Sequence, residues 1–322
     1  MRIAVMGTGG VGGYFGAKLA KSGNDVAFVA RGAHLDAMRR QGLRIQSAGG
    51  DIELRDVVAT DDPSSLAPVD VVMFCVKLWD VESAATRIAP LLGARGVVIP
   101  FQNGIDSPEM LRRILGEDRV LGGIAYIAAT IAAPGIIAQT GSMAKLRVGA
   151  FAAPHPSPLP ASRAEGAHPS HRAHDFVRAC TDAGVNAELA PDIRRALWEK
   201  FVFLTALSGV TALSRQPVGG VRSDQDLRAA FAASMHETVA LARAQNVTLP
   251  DDFLPTQMRA LDRLPAEMRS SMQNDLLAGR RLEAPWLCGR VAELSAQAGL
   301  AAPVNATIYA GLKPFVDGTP RD

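Results

Sequence analysis

Two groups of residues in this chain have types and spacings that can do chemistry. The first is Gly7-Thr8-Gly9-Gly10-Val11-Gly12, a GxGxxG turn. Its first glycine permits a tight turn, its second lets the backbone approach a pyrophosphate, and its third lets a helix pack on a strand. Free N–H groups and a positive dipole end follow at the helix start, where phosphates bind. The second group is Lys77, Asn103 and Lys200. Lys77 and Asn103 each follow a run that reads as a buried strand, and Lys200 lies on the apolar stripe of a helix. An inward lysine loses the solvation of its ammonium, its pKa falls, and it becomes a proton donor near neutral pH. Its stem can instead pack while the amine escapes to water, and periodicity alone leaves both readings open.

The glycine turn gains meaning from the elements around it. Ile3, Ala4 and Val5 form a strand, Val11 to Ser22 an amphipathic helix, and Asp25 to Ala30 a second strand, so strand, turn, helix and strand follow within about thirty residues, as a dinucleotide-binding unit requires. The second strand ends Phe28-Val29-Ala30-Arg31, with no acid to hold a ribose 2′-hydroxyl, and Asp25 sits at the wrong end. Arg31 therefore predicts a 2′-phosphate and NADP(H) as the cofactor, against the plainer reading of a surface arginine.

Further along, Ala33 to Gln41 reads as a short helix, and Leu43 to Ser47 with Ile52 to Val58 as a hairpin around Gly49-Gly50. Val69 to Val76 is a continuous apolar run ending at Lys77, typical of a parallel strand covered on both faces. Helix is expected from Asp80 to Leu92, then a strand from Gly96 to Ile99 leading into Phe101-Gln102-Asn103-Gly104. Ligands of open α/β sheets bind beyond the carboxyl ends of the strands, where Lys77 and Asn103 both fall. A lysine after a strand is otherwise a loop residue, and Asn-Gly an ordinary turn.

Val120 to Ala144 is uncharged but broken by Gly122, Gly123, Pro134 and Gly135, and reads as two buried strands instead of a membrane span. Residues 152–173, rich in Pro, Ala, Ser and His, read as a loop. A helix is expected from His174 to Ala183 and a strand from Ala187 to Ala190. Beyond Pro191 the pattern is helical. The fold class expected is a doubly wound α/β domain, 1–190, followed by an all-helical domain, 191–322, for substrate and dimerisation. Asp192 suits the cap of the helix whose stripe runs Ile193, Leu197, Lys200 and Leu204, with Arg195 and Glu199 on its polar side. Further on, Pro285 suits a first helical turn, which makes Glu283 a capping acid, and Ser271 reads as a helix-face hydroxyl.

Composition narrows the function classes. The 322 residues are 48% hydrophobic with a net charge of +2, enough apolar residue for two cores and too little charge bias for a nucleic acid partner. Cys75, Cys180 and Cys288 are far apart and form no CxxC, which fits buried thiols in a reducing, cytoplasmic setting. Four of the six histidines, His155, His168, His171 and His174, crowd the proline-rich segment without ligand spacing, so no metal is expected. The N-terminal apolar run is broken by glycines and reads as the fingerprint strand, not a signal peptide. No membrane partner is expected, and the long apolar helices could support a homodimer.

Taken together, these residues resemble the ketopantoate reductase (2-dehydropantoate 2-reductase) family over essentially the whole length apart from the proline-rich loop. The motifs are Gly7-x-Gly9-x-x-Gly12, Val76-Lys77, Gln102-Asn103-Gly104, Leu197-Trp198-Glu199-Lys200, Ser270-Ser271-Met272, and Asp275 with Glu283 eight residues on. The resemblance implies a Rossmann domain and a helical domain with NADPH and a small 2-oxo acid in the cleft between them. It implies Lys200 as the general acid that protonates the ketone oxygen, and Asn103 at both nicotinamide and substrate. Lys77 and Glu283 would lie on the cofactor side, Ser271 at the substrate carboxylate, and Ala128 at a cofactor-contacting backbone position. With Asn103, Lys200 and Glu283 as the catalytic group, the implied reaction is reduction of ketopantoate to pantoate in pantothenate biosynthesis.

The chain departs from the family pattern where asparagines are expected: Leu204 and Ser208 stand one and two turns beyond Lys200, and Val218 and Cys288 replace two more. Ser208 is retained as a substrate contact. A hydroxyl-bearing substrate loses hydrogen bonds worth about 0.5 to 1.5 kcal/mol each, so a more apolar pocket is expected. Two alternatives stay open: a related 2-oxo or 3-hydroxy acid dehydrogenase, and an NADP-binding regulator without catalysis.

Overall fold

Short apolar runs separated by glycine and polar turns give the first half of the chain its strands. In the computed structural model, which describes residues 1–151 and 169–319, the elements run β1 (Arg2–Met6), α1 (Gly10–Lys21), β2 (Asp25–Val29), α2 (Gly32–Gln41), β3 (Leu43–Ser47), β4 (Ile52–Leu54) and β5 (Val58–Thr60). There follow β6 (Val71–Phe74), α3 (Val81–Ile88), β7 (Val97–Pro100), α4 (Ser107–Leu115), β8 (Gly122–Ala133), β9 (Ile136–Gly149), α5 (Pro169–Asp182) and β10 (Asn186–Leu189). The chain divides into two compact units: Met1–Gln102 with Asp106–Ile193, and Asn103–Ile105 with everything from Arg194 on.

The first unit is built on a parallel sheet of order β5-β2-β1-β6-β7, the α/β arrangement expected. Its central strands are apolar on both faces because both are covered. Ile3 and Val5 of β1, with Val71 and Met73 of β6, pack with Phe15 and Leu19 of α1 and with Phe176 of α5. The alternate residues Ala4, Met6, Val72 and Phe74 pack with Val81, Ala85 and Ile88 of α3 and Leu111 of α4. This period-two division follows directly from the strand pleat.

A second sheet, β10-β9-β3-β4 with β8 paired to β9, adds Leu43, Ile45, Ile137 and Leu146 to the α1 side of the core. Here the structure corrects three expectations. The run from Ile52 to Val58 is not one strand: β4 pairs back on β3, while Val58 enters β5 and pairs with β2 in the other sheet. The stretch from Val120 to Ala144 does form two strands, but Thr130, Ile131, Thr140 and Met143 are exposed, so the outer part of the hairpin is not buried. Helix α5 begins at Pro169, inside the segment expected to be loop; the rest of that loop, 152–168, lies outside the described residues.

Among the described residues, the regular elements of the second unit are helices: α6 (Ile193–Ser214), α7 (Val218–Ser223), α8 (Gln225–Ala244), α9 (Phe253–Arg263), α10 (Ser271–Leu277), α11 (Cys288–Gln297) and α12 (Pro303–Leu312). Helix α6 is long and apolar enough to cross a membrane by length and composition alone. It is instead a core helix, with Trp198, Phe201, Val202, Leu207 and Val210 packed among Phe231, Met235, Leu261 and Leu287. On its polar side Arg195 donates to Glu199 at 2.9 Å.

Candidate active site

The glycine turn occupies the carboxyl end of β1 in the first unit. Gly7 has φ +95°, a conformation open to glycine at little cost, and the N–H groups of Gly7 and Thr8 donate to the Val29 carbonyl oxygen at 3.2 and 3.0 Å. The Thr8 hydroxyl donates to the same oxygen at 3.1 Å, so the turn is tied to the end of β2. A Cβ on Gly12 would lie 2.5 Å from the Gly7 oxygen and 2.8 Å from Val5 Cγ1, and one on Gly10 would lie 2.0 Å from the Ala129 oxygen. A Cβ on Gly9 would meet nothing within 4 Å, and no side chain caps the start of α1. Close packing behind the turn, open space before it and an uncapped helix N-terminus form a cradle that fits a dinucleotide pyrophosphate.

Other expected cofactor residues surround this turn. Val11 lies in the first turn of α1. Ala128 is exposed on β8 at a register shift between Ile127 and Ala128, beside the Ala129 carbonyl that approaches Gly10. Lys77 is exposed three residues past β6, its ammonium 5.6 Å from the centre of the Trp79 ring. Arg31 is the N-cap residue of α2, and its guanidinium donates to Asp80 at 3.0 Å.

In the second unit, three residues far apart in sequence meet. The Lys200 ammonium donates to Asn103 Oδ1 at 3.0 Å, and Asn103 Nδ2 donates to Glu283 Oε2 at 3.2 Å. Lysine only donates and an ionised carboxylate only accepts, so the amide is oriented by its two partners. Glu283 is 6% exposed. Its side chain makes no cap on the short 3₁₀ turn Ala284–Trp286, which corrects the capping reading: the carboxylate turns to Asn103. Gln102 anchors the approach to Asn103, its side-chain amide donating to the carbonyl oxygens of Phe74 and Val76 at 3.0 Å each.

Lys200 sits on the inner stripe of α6 among Leu197, Phe201 and Leu204, and is only partly exposed. Burial brings its ammonium down from 10.5 to about 8, with the Glu283 carboxylate opposing that fall. Of the two readings of the inward lysine, the hydrogen bond to Asn103 favours the engaged amine over one that escapes to water. A group titrating near 8, hydrogen-bonded in a partly dry setting, can give a proton to a carbonyl oxygen and stabilise the alkoxide that develops.

The expected substrate contacts are less uniform. Ser208 is 1% exposed on α6, and its Oγ has no hydrogen-bond partner among the described residues; Thr205 Oγ1 is in the same state. Leu204 packs on the helical core, Val218 is fully buried at the start of α7, and Cys288 Sγ donates to the Ala284 carbonyl oxygen at 3.6 Å. Ser271 is exposed at the first position of α10. Its neighbour Ser270 turns inward instead, sharing a hydrogen bond with Thr211 at 2.8 Å and accepting from the Gln273 N–H at 3.0 Å. The sequence reading missed Asp80 as the partner of Arg31. The acid is visible as a residue, but nothing local shows that the ends of β2 and β6 flank β1.

Comparison with known proteins gives the family of the chain. The family model described as ketopantoate reductase PanE/ApbA matches residues 3–153, and that for the C-terminal part of the same family matches residues 192–315. The chain is similar to the uncharacterized oxidoreductase YkpB of Bacillus subtilis, 27% identical over 98% of this chain and 99% of that one. It is similar to the 2-dehydropantoate 2-reductase of Mesorhizobium japonicum, 29% identical over 91% of each chain. A crystal structure of a PanE/ApbA family ketopantoate reductase from Ralstonia eutropha JMP134 superposes with a TM-score of 0.86, at 30% identity over 98% of both chains. With both family models matched in order along most of its length, the chain belongs to the ketopantoate reductase family of oxidoreductases.

Proposed function

We propose that this enzyme reduces a 2-oxo acid with NADPH, with ketopantoate as the substrate and pantoate, a precursor in pantothenate synthesis, as the product. The observation that carries the proposal is the hydrogen-bonded series Lys200, Asn103, Glu283. The cofactor supplies a hydride to the carbonyl carbon. Lys200 gives a proton to the carbonyl oxygen, so that one C–H and one O–H bond form and the ketone becomes an alcohol. Asn103 holds the lysine amine in place, and the Glu283 carboxylate, by its charge, opposes the loss of the proton that burial favours.

On this reading the glycine cradle Gly7 to Gly12 takes the pyrophosphate, Arg31 the 2′-phosphate, and Lys77 and the Ala128 backbone further parts of the cofactor. Ser208, whose buried hydroxyl has acceptor and donor capacity to spare, and Ser271 take the substrate. The proposal assigns 1–190 to the cofactor and 191–322 to substrate and to a homodimer contact. It includes a cytoplasmic location, supported by three free thiols, of which Cys180 and Cys288 are buried and raised to about 12 by desolvation.

A second reading, a more apolar 2-oxo acid in place of ketopantoate, is favoured by one observation: Leu204 and Val218 put hydrocarbon where the family pattern has amides. A spectrophotometric assay of NADPH oxidation against a panel of 2-oxo acids decides. Ketopantoate turning over best supports the proposal. Turnover of another acid with ketopantoate inert replaces the substrate, and NADPH binding with no turnover of any acid favours a regulator.

A further inference from the structure

Strand β1 lies between β2 and β6 in the parallel sheet. Arg31 follows the end of β2, and Asp80 closes the short 3₁₀ turn Leu78–Asp80 that follows β6. Their ion pair, 3.0 Å from Nη2 to Oδ2, therefore joins the two strand ends that flank the glycine turn. The two partners are held unequally. The Arg31 side chain is 83% exposed and that of Asp80 only 29%; the Asp80 backbone is fixed by its N–H donating to the Lys77 oxygen at 2.9 Å and its own oxygen accepting from the Ser83 hydroxyl at 3.1 Å. The acid is the anchored partner, and the arginine reaches to it.

We propose that Asp80 is a specificity residue for the cofactor, setting how strongly the Arg31 charge favours a dinucleotide that carries a 2′-phosphate. This rests on the reading that Arg31 takes that phosphate. A 2′-phosphate coming to Arg31 finds the guanidinium already answered by a carboxylate. It must displace Asp80 or share the cation with a like charge, and either lowers the advantage of the phosphorylated cofactor. A dinucleotide with a free 2′-hydroxyl meets no such repulsion, and a carboxylate in this region is a natural acceptor for that hydroxyl. The chain thus carries at the end of β6 the acid that the end of β2 lacks. It discriminates between NADPH and NADH less steeply than Arg31 alone would make it.

The test is titration of the purified protein with NADPH and with NADH, followed by tryptophan fluorescence or calorimetry, for the wild type and for Asp80→Asn, Asp80→Ala and Arg31→Ala. Thermal melts accompany the titrations to show that each variant folds. Asp80→Asn should tighten NADPH about three- to tenfold and leave NADH unchanged or weaker, the gain shrinking as salt is raised because the pair is exposed. An unchanged NADPH-to-NADH ratio in both Asp80 variants overturns the inference, as does weaker NADPH binding. Arg31→Ala separates the two layers. If it weakens NADPH selectively while the Asp80 variants leave the ratio unmoved, the inference fails and the Arg31 reading stands. If it weakens both cofactors equally, both fall.

Discussion

The two groups of candidate residues, one in each unit, are made of different material. The proposed phosphate cradle of the first unit is backbone: Gly7, Gly9, Gly10 and Gly12 matter because they have no side chain, and the groups it would offer to a ligand are N–H groups at the start of α1. The proposed proton-donating group of the second unit is side chain: a lysine from α6, an asparagine from residues 103–105 and a glutamate from the turn before α11, brought together across 97 and 180 residues of chain. A backbone site is local and tolerates changes elsewhere as long as the turn keeps its shape. A site of side chains is tunable, since each partner adjusts the charge and position of the next, as Glu283 does for Lys200. The difference predicts separable failures, with affinity lost on one side and turnover on the other.

The largest separation should come from Lys200→Ala. Loss of the proton donor and of its charge should lower kcat by about a thousandfold, while fluorescence titration finds NADPH bound as tightly as by the wild type. Comparable loss of affinity and turnover would break the division.

Gly10→Ala should do the reverse. A methyl group placed 2.0 Å from the Ala129 oxygen cannot be accommodated without moving β8 or the turn. NADPH affinity should fall at least about tenfold and Tm by several degrees, with kcat at saturating cofactor falling far less than in Lys200→Ala. A variant with wild-type affinity would mean that the cradle is not where the pyrophosphate binds.

A smaller effect is expected from Arg31→Ala, which should weaken NADPH about tenfold and NADH about twofold at most, a charge-assisted contact being at stake. Its side chain is exposed, so stability should not change, and a thermal melt checks that directly.

How much of this was legible in the sequence follows the same division. The turn, α1 and the strands on either side were readable because glycine spacing and strand periodicity are local signals. The hairpin β8–β9 was readable as strands, but its alanine-rich composition does not distinguish buried from exposed residues, and its outer part faces solvent. Val58 looked like the end of a hairpin strand because only tertiary pairing decides which sheet it joins. Lys200 stood out by its place on an apolar stripe, yet snorkelling remained an equal reading until Asn103 was found beside it. Glu283 looked like a helix cap for the same reason: its real partner lies 180 residues away, and no local pattern encodes it. Family resemblance supplied what periodicity did not for Ser271 and Ala128, both of which lie exposed on their elements.

The most direct test of the central claim, that a half-buried Lys200 held by Asn103 and charged by Glu283 donates the proton, is the pH dependence of kcat/KM for 2-oxo acid reduction in the wild type and in Glu283→Gln. Reduction needs the ammonium form, so the rate should be level below the lysine pKa and fall as pH rises through about 8. The Glu283 carboxylate raises that pKa, so its neutral replacement should move the fall to lower pH. A wild-type profile that stays level to pH 10, or a Glu283→Gln profile that does not move downward, would contradict the account.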